Sequence, residues 1–160
     1  MTTEVSISNW DESSESHEVV LDGKWDNSPM GTHENAMLIY VKDQAEEGNA
    51  ASVVEAIDTY CFMEEENWMC TIGDVKGKIL DQTVMEMKPM VALELGTYCG
   101  YSTVRIRSHM PKVSILITLD INETYQKVAQ QVGKLAGLDG QIHYWVGDLE
   151  DNLVRLQKEF

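Results

Sequence analysis

Apolar residues recur at two different periods along this chain, and the change from one to the other divides it. From Glu34 to about Gly48, Met37, Leu38 and Val41, with Tyr40 beside them, fall on one helical face. Ser52, with Glu55 three positions later, forms a capping box that predicts a helix opening there and running to about Tyr60. A Glu-rich connector, Glu64-Glu65-Glu66-Asn67, leads to Trp68-Met69-Cys70-Thr71-Ile72. Gly73-Asp74 then starts a third helix, with Ile79, Leu80, Val84 and Met87 on one face, and Pro89 ends it.

Beyond Pro89 the pattern alternates between short apolar runs and amphipathic stretches. Met90 to Leu95 is a buried strand bounded by Pro89 and Gly96, and Tyr101 to His109 reads as a helix closed near Pro111. Val113 to Leu119 is a second strand closed by Asp120. Asn122-Glu123 caps a helix to Ala136, with Gly137 as its stop signal. Ile142 to Val146 is a third strand, followed by Gly147-Asp148 and a helix bearing Leu149, Leu153 and Leu156. Strand and helix in alternation predict an α/β fold with a parallel sheet and helices packed across it.

Composition adds a boundary. Residues 1–33, with Glu34 beside them, carry eight carboxylates, one Lys and several Ser, with little periodic apolar pattern. Such a stretch cannot bury enough surface to offset chain entropy, so a disordered acidic tail is expected over 1–33 and a folded region over 34–160. The whole chain has 160 residues, 43% of them apolar, and a formal net charge of −15. That charge argues against nucleic acid and against anionic membrane surfaces as partners. Three cysteines without a ligand spacing, no signal-like amino terminus and no long apolar run lead to the expectation of a soluble cytoplasmic protein. His17, His33, His109 and His143 are scattered, and no metal site is read from them.

The chemistry concentrates in Glu94-Leu95-Gly96-Thr97-Tyr98-Cys99-Gly100-Tyr101-Ser102, where the first parallel strand gives way to a helix. Ligands bind at this carboxyl end of open α/β sheets. Gly96 and Gly100 let the backbone turn and let a ligand lie against it, although any tight strand-to-helix turn uses such a pair. The helix start offers free N–H groups, and Ser102 a hydroxyl, to an anionic group. Gly-x-x-x-Gly behind an acid suits an amino-acid carboxylate and its ammonium, the latter facing Glu94, better than the pyrophosphate served by GxGxxG. Asp120, 24 positions after Gly96, lies where a ribose diol is held, or else is a helix-approach residue. Gly147 and Asp148 extend the pattern at the third strand, where Glu150 is placed to accept from an exocyclic amine. Three strand ends in order describe a nucleoside site.

At this point the chain resembles catechol O-methyltransferase and its relatives over about residues 34–160. The resemblance rests on Val54-Glu55-Ala56-Ile57-Asp58-Thr59-Tyr60-Cys61, Ile72-Gly73-Asp74-Val75-Lys76-Gly77, Leu93 to Ser102, and Leu135-Ala136-Gly137-Leu138. It implies a Rossmann-like S-adenosylmethionine methyltransferase fold that moves a methyl group to one hydroxyl of a Mg²⁺-chelated, catecholamine-like catechol. It implies that Glu94 anchors the methionine ammonium, that Tyr98 and Ser102 line the carboxylate pocket, and that Asp120 holds the ribose, in place of a longer Glu. Ile72 and Gly73 are implied to line the cleft from the helical side. Trp68 is implied to wall the catechol ring, with a core role as its other reading, and Cys70 stands where the family has Met near the methyl group. Leu149 replaces a hydroxyl, and Glu150 an amide, against the adenine.

The family's two Asp and Asn that bind Mg²⁺, and its Lys base, are implied to lie beyond the third strand, whereas this sequence ends at Gln157-Lys158-Glu159-Phe160. The expectation is therefore a truncated relative with sheet strands 1–3 only, no catalytic residue assigned, and an apolar edge at Val91, Ala92, Leu93 and Leu95 open to self-association. A non-catalytic protein that binds S-adenosylmethionine or a partner is the rival expectation.

Overall fold

The computed structural model describes residues 19–21, 24–26, 31–63 and 69–159. Within the stretch expected as a tail, β1 (Val19–Leu21) pairs antiparallel with β2 (Lys24–Asp26), Val20 opposite Trp25. The composition gave no sign of that pairing. Three helices follow, α1 (Thr32–Gln44), α2 (Ala50–Met63) and α3 (Gly73–Met87). Then β3 (Val91–Leu95), α4 (Tyr101–His109), β4 (Ile115–Asp120), α5 (Glu123–Leu135), β5 (Ile142–Val146) and α6 (Leu149–Glu159) alternate as the periodicity requires.

The sheet order is β3-β4-β5, all parallel, with Leu93 beside Ile117 and Thr118 beside Tyr144. The middle strand is the run Ile-Leu-Ile-Thr-Leu-Asp, rich in residues that fit a pleated, buried surface, and its central four are buried. Alternation sends Leu116 to one face, against Val84, Met110 and Ile142, and Ile117 and Leu119 to the other, against Trp145 and Leu156 of α6. Arg155 of α6 lies 3.8 Å over the Trp145 ring and helps clamp that face. The remaining helices make their own core, in which Met37, Leu38, Val41, Val53, Ile57, Val104, Val128 and Val132 are all fully buried.

The edge expected to lie open does so in part among the described residues, Ala92 being packed against the cluster of Val84 and Leu116. β3 pairs with β4 alone, and its outward Val91, Leu93 and Leu95 are 44–59% exposed. One helix start differs from the capping-box reading. α2 begins at Ala50, and Asn49 caps it, its Oδ1 accepting from Ser52 N at 3.2 Å. The Ser52 hydroxyl turns back to accept from Glu46 N at 2.9 Å, tying the loop between α1 and α2. Two caps three residues apart competed, and the one that also closes the loop prevails. No described helix is long and apolar enough to cross a membrane.

Behind the sheet, Arg107 is 2% exposed and its guanidinium is spent on oxygens of two loops. It donates to the carbonyls of Pro111 (3.3 Å), Lys112 (3.0 Å) and Gln141 (3.2 Å), and to Gln141 Oε1 at 2.8 Å. Replacement by Met fills the space but orphans those carbonyls. Arg107→Met is expected to lower stability by about 2–4 kcal/mol in urea unfolding. A loss below about 0.5 kcal/mol shows that water replaces the guanidinium without penalty.

Candidate functional site

The three parallel strands end side by side and are laced together just past their tips. Gly96 N donates to Leu119 O at 2.8 Å, and Gly147 N donates to Asp120 O at 2.9 Å. Between them lies an open cleft of about 230 Å³. Its walls are Leu95 and Gly96 from the first tip, Leu119 to Ile121 from the second, and Gly147 to Leu149 from the third. Ile121 and Leu149 are exposed, which leaves apolar flanks beside two carboxylates, Asp120 and Asp148. Such a surface suits a flat, partly apolar ring carrying hydroxyl or amine donors.

Gly96 has φ 90°, and a Cβ there meets nothing within 4 Å, so the backbone is bare where the cleft needs access. Asp120 fits its helix-approach reading at the tip of β4. Its Oδ2 accepts from Tyr98 N (2.8 Å) and its Oδ1 from Asn122 N (2.9 Å), fixing the carboxylate while each oxygen retains acceptor capacity. Asp148 lines the cleft and also caps α6, its Oδ1 accepting from Asp151 N at 2.8 Å.

Glu94 sits below the first tip, 8% exposed, and like Ser102 it is not among the cleft's walls. Its Oε1 accepts from Ser102 Oγ (2.6 Å), and its Oε2 from Thr103 Oγ1 (2.6 Å) and Thr118 Oγ1 (2.7 Å). No Lys or Arg contacts it among the described residues. Burial raises its pKa above the ordinary carboxyl range, the Asp120 charge pushes the same way, and the three hydroxyls oppose them. A buried carboxyl with hydroxyl donors and no counter-charge is stabilised either by taking up a proton or by a cation brought against it.

Other expectations shift. Ser102 spends its proton on Glu94, so it is not a free donor to a ligand carboxylate. The Tyr98 ring lies away from the cleft. Its hydroxyl donates to Glu34 Oε1 at 2.7 Å, and its ring meets Tyr125 edge-on at 4.8 Å. Gly100 is needed for packing: with φ 84°, a Cβ there meets the Cβ of Ala129 at 3.0 Å and its Cα at 3.1 Å, so its bareness admits α5 against α4. A Cβ at Gly147 points at Asn152 Nδ2, 2.9 Å away, toward α6. Ile72 packs on the helical core, and neither it nor Gly73 at the start of α3 lines this cleft. Glu150 and Cys70 are exposed and outside its walls, and Trp68 lies outside the described residues.

Thr97, Thr103, Thr118 and Gln126 escaped the sequence reading although all four are buried around Glu94. A Thr within an otherwise apolar strand run, at 118, was the one available signal.

The parallel sheet, its flanking helices and the laced tips define an α/β fold of the Rossmann-like class. The chain belongs to the O-methyltransferase family, whose model matches residues 49–160. It is 40% identical over 130 residues to the catechol O-methyltransferase of Mus musculus, a stretch covering 81% of this chain and 48% of that protein. It is also 40% identical over 144 residues to catechol O-methyltransferase B of Danio rerio, covering 90% and 54%. The chain thus spans about half the length of the curated relatives it matches. In fold it is similar to an O-methyltransferase from Bacillus cereus solved in complex with SAH, at TM-score 0.57 and 22% identity, covering 78% of this chain and 56% of that one.

Gly100→Ala separates packing from ligand contact. The positive φ and the Ala129 backbone together are expected to cost about 2–4 kcal/mol of stability by thermal or urea unfolding. An Ala variant as stable as the parent returns Gly100 to the ligand.

Proposed function

We propose that this chain binds S-adenosylmethionine at the strand tips and serves methyl transfer from it to a hydroxyl of a catechol, catecholamine-like in kind. The observation that carries the reading is the cation-free Glu94 beneath a cleft shared by three strand ends. The family membership and the names of its relatives support the chemistry and the acceptor class. The bare Gly96 and the buried acid fit such a ligand. Glu94 takes the ammonium, Asp120 the ribose diol, and Ile121 and Leu149 the faces of the adenine.

When bound, the cofactor supplies a methyl group on a sulfonium, already activated toward attack by oxygen. The work left to the protein is to orient it and to shield it from water. Mg²⁺ is a separate matter. No group of three His, Cys, Asp or Glu able to hold a metal ion occurs among the described residues, so these residues do not fit that ion. The proposal sets the protein in the cytoplasm, in keeping with the free thiols of Cys61, Cys70 and Cys99.

Calorimetric titration with S-adenosylmethionine and S-adenosylhomocysteine tests the reading. The parent chain is expected to bind both. Glu94→Gln is expected to weaken each by about 10- to 100-fold, the value of a charge-assisted contact. Protonation removes the charge that meets the ammonium, so affinity falls as pH drops. Because burial raises the Glu94 pKa, the fall begins above the ordinary range for Glu. Glu94→Gln lacks that slope. No heat and no thermal shift with either ligand overturns the proposal.

A further inference from the structure

The two oxygens of Glu94 are treated differently. Oε1 receives one hydrogen bond, from the half-buried Ser102. Oε2 receives two, from Thr103 and Thr118, each 0% exposed. The outer oxygen keeps capacity and the inner one is saturated.

Behind Thr118 the bonds continue. Its hydroxyl is 2.6 Å from Thr97 Oγ1, and Thr97 Oγ1 accepts from Gln126 Nε2 at 3.0 Å. A hydroxyl has one proton, and that of Thr118 is committed to Glu94, which in its ionised form only accepts. Thr97 must therefore donate to Thr118, which leaves its own oxygen free to accept from Gln126. The direction is fixed along the chain: Gln126 to Thr97 to Thr118 to Glu94. Donors aligned head to tail strengthen one another in a buried setting.

The amide that starts this chain also reaches the other two strands. Gln126 Nε2 lies 3.2 Å from Thr118 O and 3.0 Å from Trp145 O. The side chain is 1% exposed and its Oε1 has no partner. A filler of like size such as Leu carries no such orphaned oxygen, so packing alone does not account for a glutamine here.

We propose that Gln126, Thr97, Thr118 and Thr103 are positioning residues that pin the inner oxygen of Glu94 and hold its outer oxygen for the ammonium of an amino-acid moiety. They set affinity for the amino-acid end of the ligand and leave the nucleoside end alone. This rests on the reading of the cleft as a nucleoside–amino-acid site.

The test compares S-adenosylhomocysteine with methylthioadenosine, the same thionucleoside without the amino-acid group, on the full chain. Thr118→Val is expected to weaken S-adenosylhomocysteine by about 10-fold, one charge-assisted hydrogen bond, and to move methylthioadenosine by less than about 2-fold. Thr118→Ser is expected to restore the parent value. Gln126→Leu is expected to give the same split, about 3- to 5-fold, because it acts two bonds away. Thr103→Val removes a donor to the same oxygen from α4 without entering the sheet, and shows the split even if the strand variant does not fold. Parallel losses for the two ligands, or no loss for either, overturn the positioning role while the cleft assignment stands. A parent chain that binds neither ligand overturns both.

Discussion

An ionisable carboxylate is buried near the end of the first parallel strand, with only hydroxyls for company among the described residues. Placing Glu94 there carries a desolvation cost that the fold tolerates because Ser102, Thr103 and Thr118 supply three short hydrogen bonds. Those donors come from the first turn of α4 and from β4, so the acid can exist only where α4, β3 and β4 meet. The shape of the β3–α4 turn follows from this meeting. Gly96 and Gly100 bend the chain so that Ser102 and Thr103 arrive over Glu94, and Ala129 of α5 closes on Gly100 from behind.

The cleft above is built from the same parts. β4 carries Thr118 inward to Glu94 and, two residues on, ends in Asp120, whose oxygens take the amides of Tyr98 and Asn122. One strand thus supports the buried acid and fixes the exposed one. Two carboxylates, apolar flanks at Ile121 and Leu149 and no basic side chain among the walls fit the proposed ligand, cationic at one end and flat at the other.

The order of elements was legible because each followed a period of its own. Ile115–Asp120 and Ile142–Val146 are short apolar runs between stop signals, and α5 carries both an Asn122 cap and a Gly137 terminator. The convergence of the tips followed from parallel topology. What stayed hidden were contacts between side chains far apart in sequence. Nothing local in Gly100 reveals Ala129, and nothing in Ser102 reveals that its proton goes to Glu94. Gly-x-x-x-Gly reads the same whether its second glycine receives a ligand or a helix. Gln126 and Thr97, 29 positions apart, look like ordinary surface residues until the fold buries them.

The account depends on an acid that is poorly compensated alone and well compensated with ligand bound. A carbon-13 NMR titration of the Glu94 side-chain carboxyl, with and without S-adenosylhomocysteine, measures this directly. The expected result is an apo pKa above the ordinary 4.5 for Glu that falls when the ligand arrives, because an ammonium now faces the outer oxygen. A pKa that the ligand leaves unchanged, or raises, contradicts the claim that this carboxylate receives it.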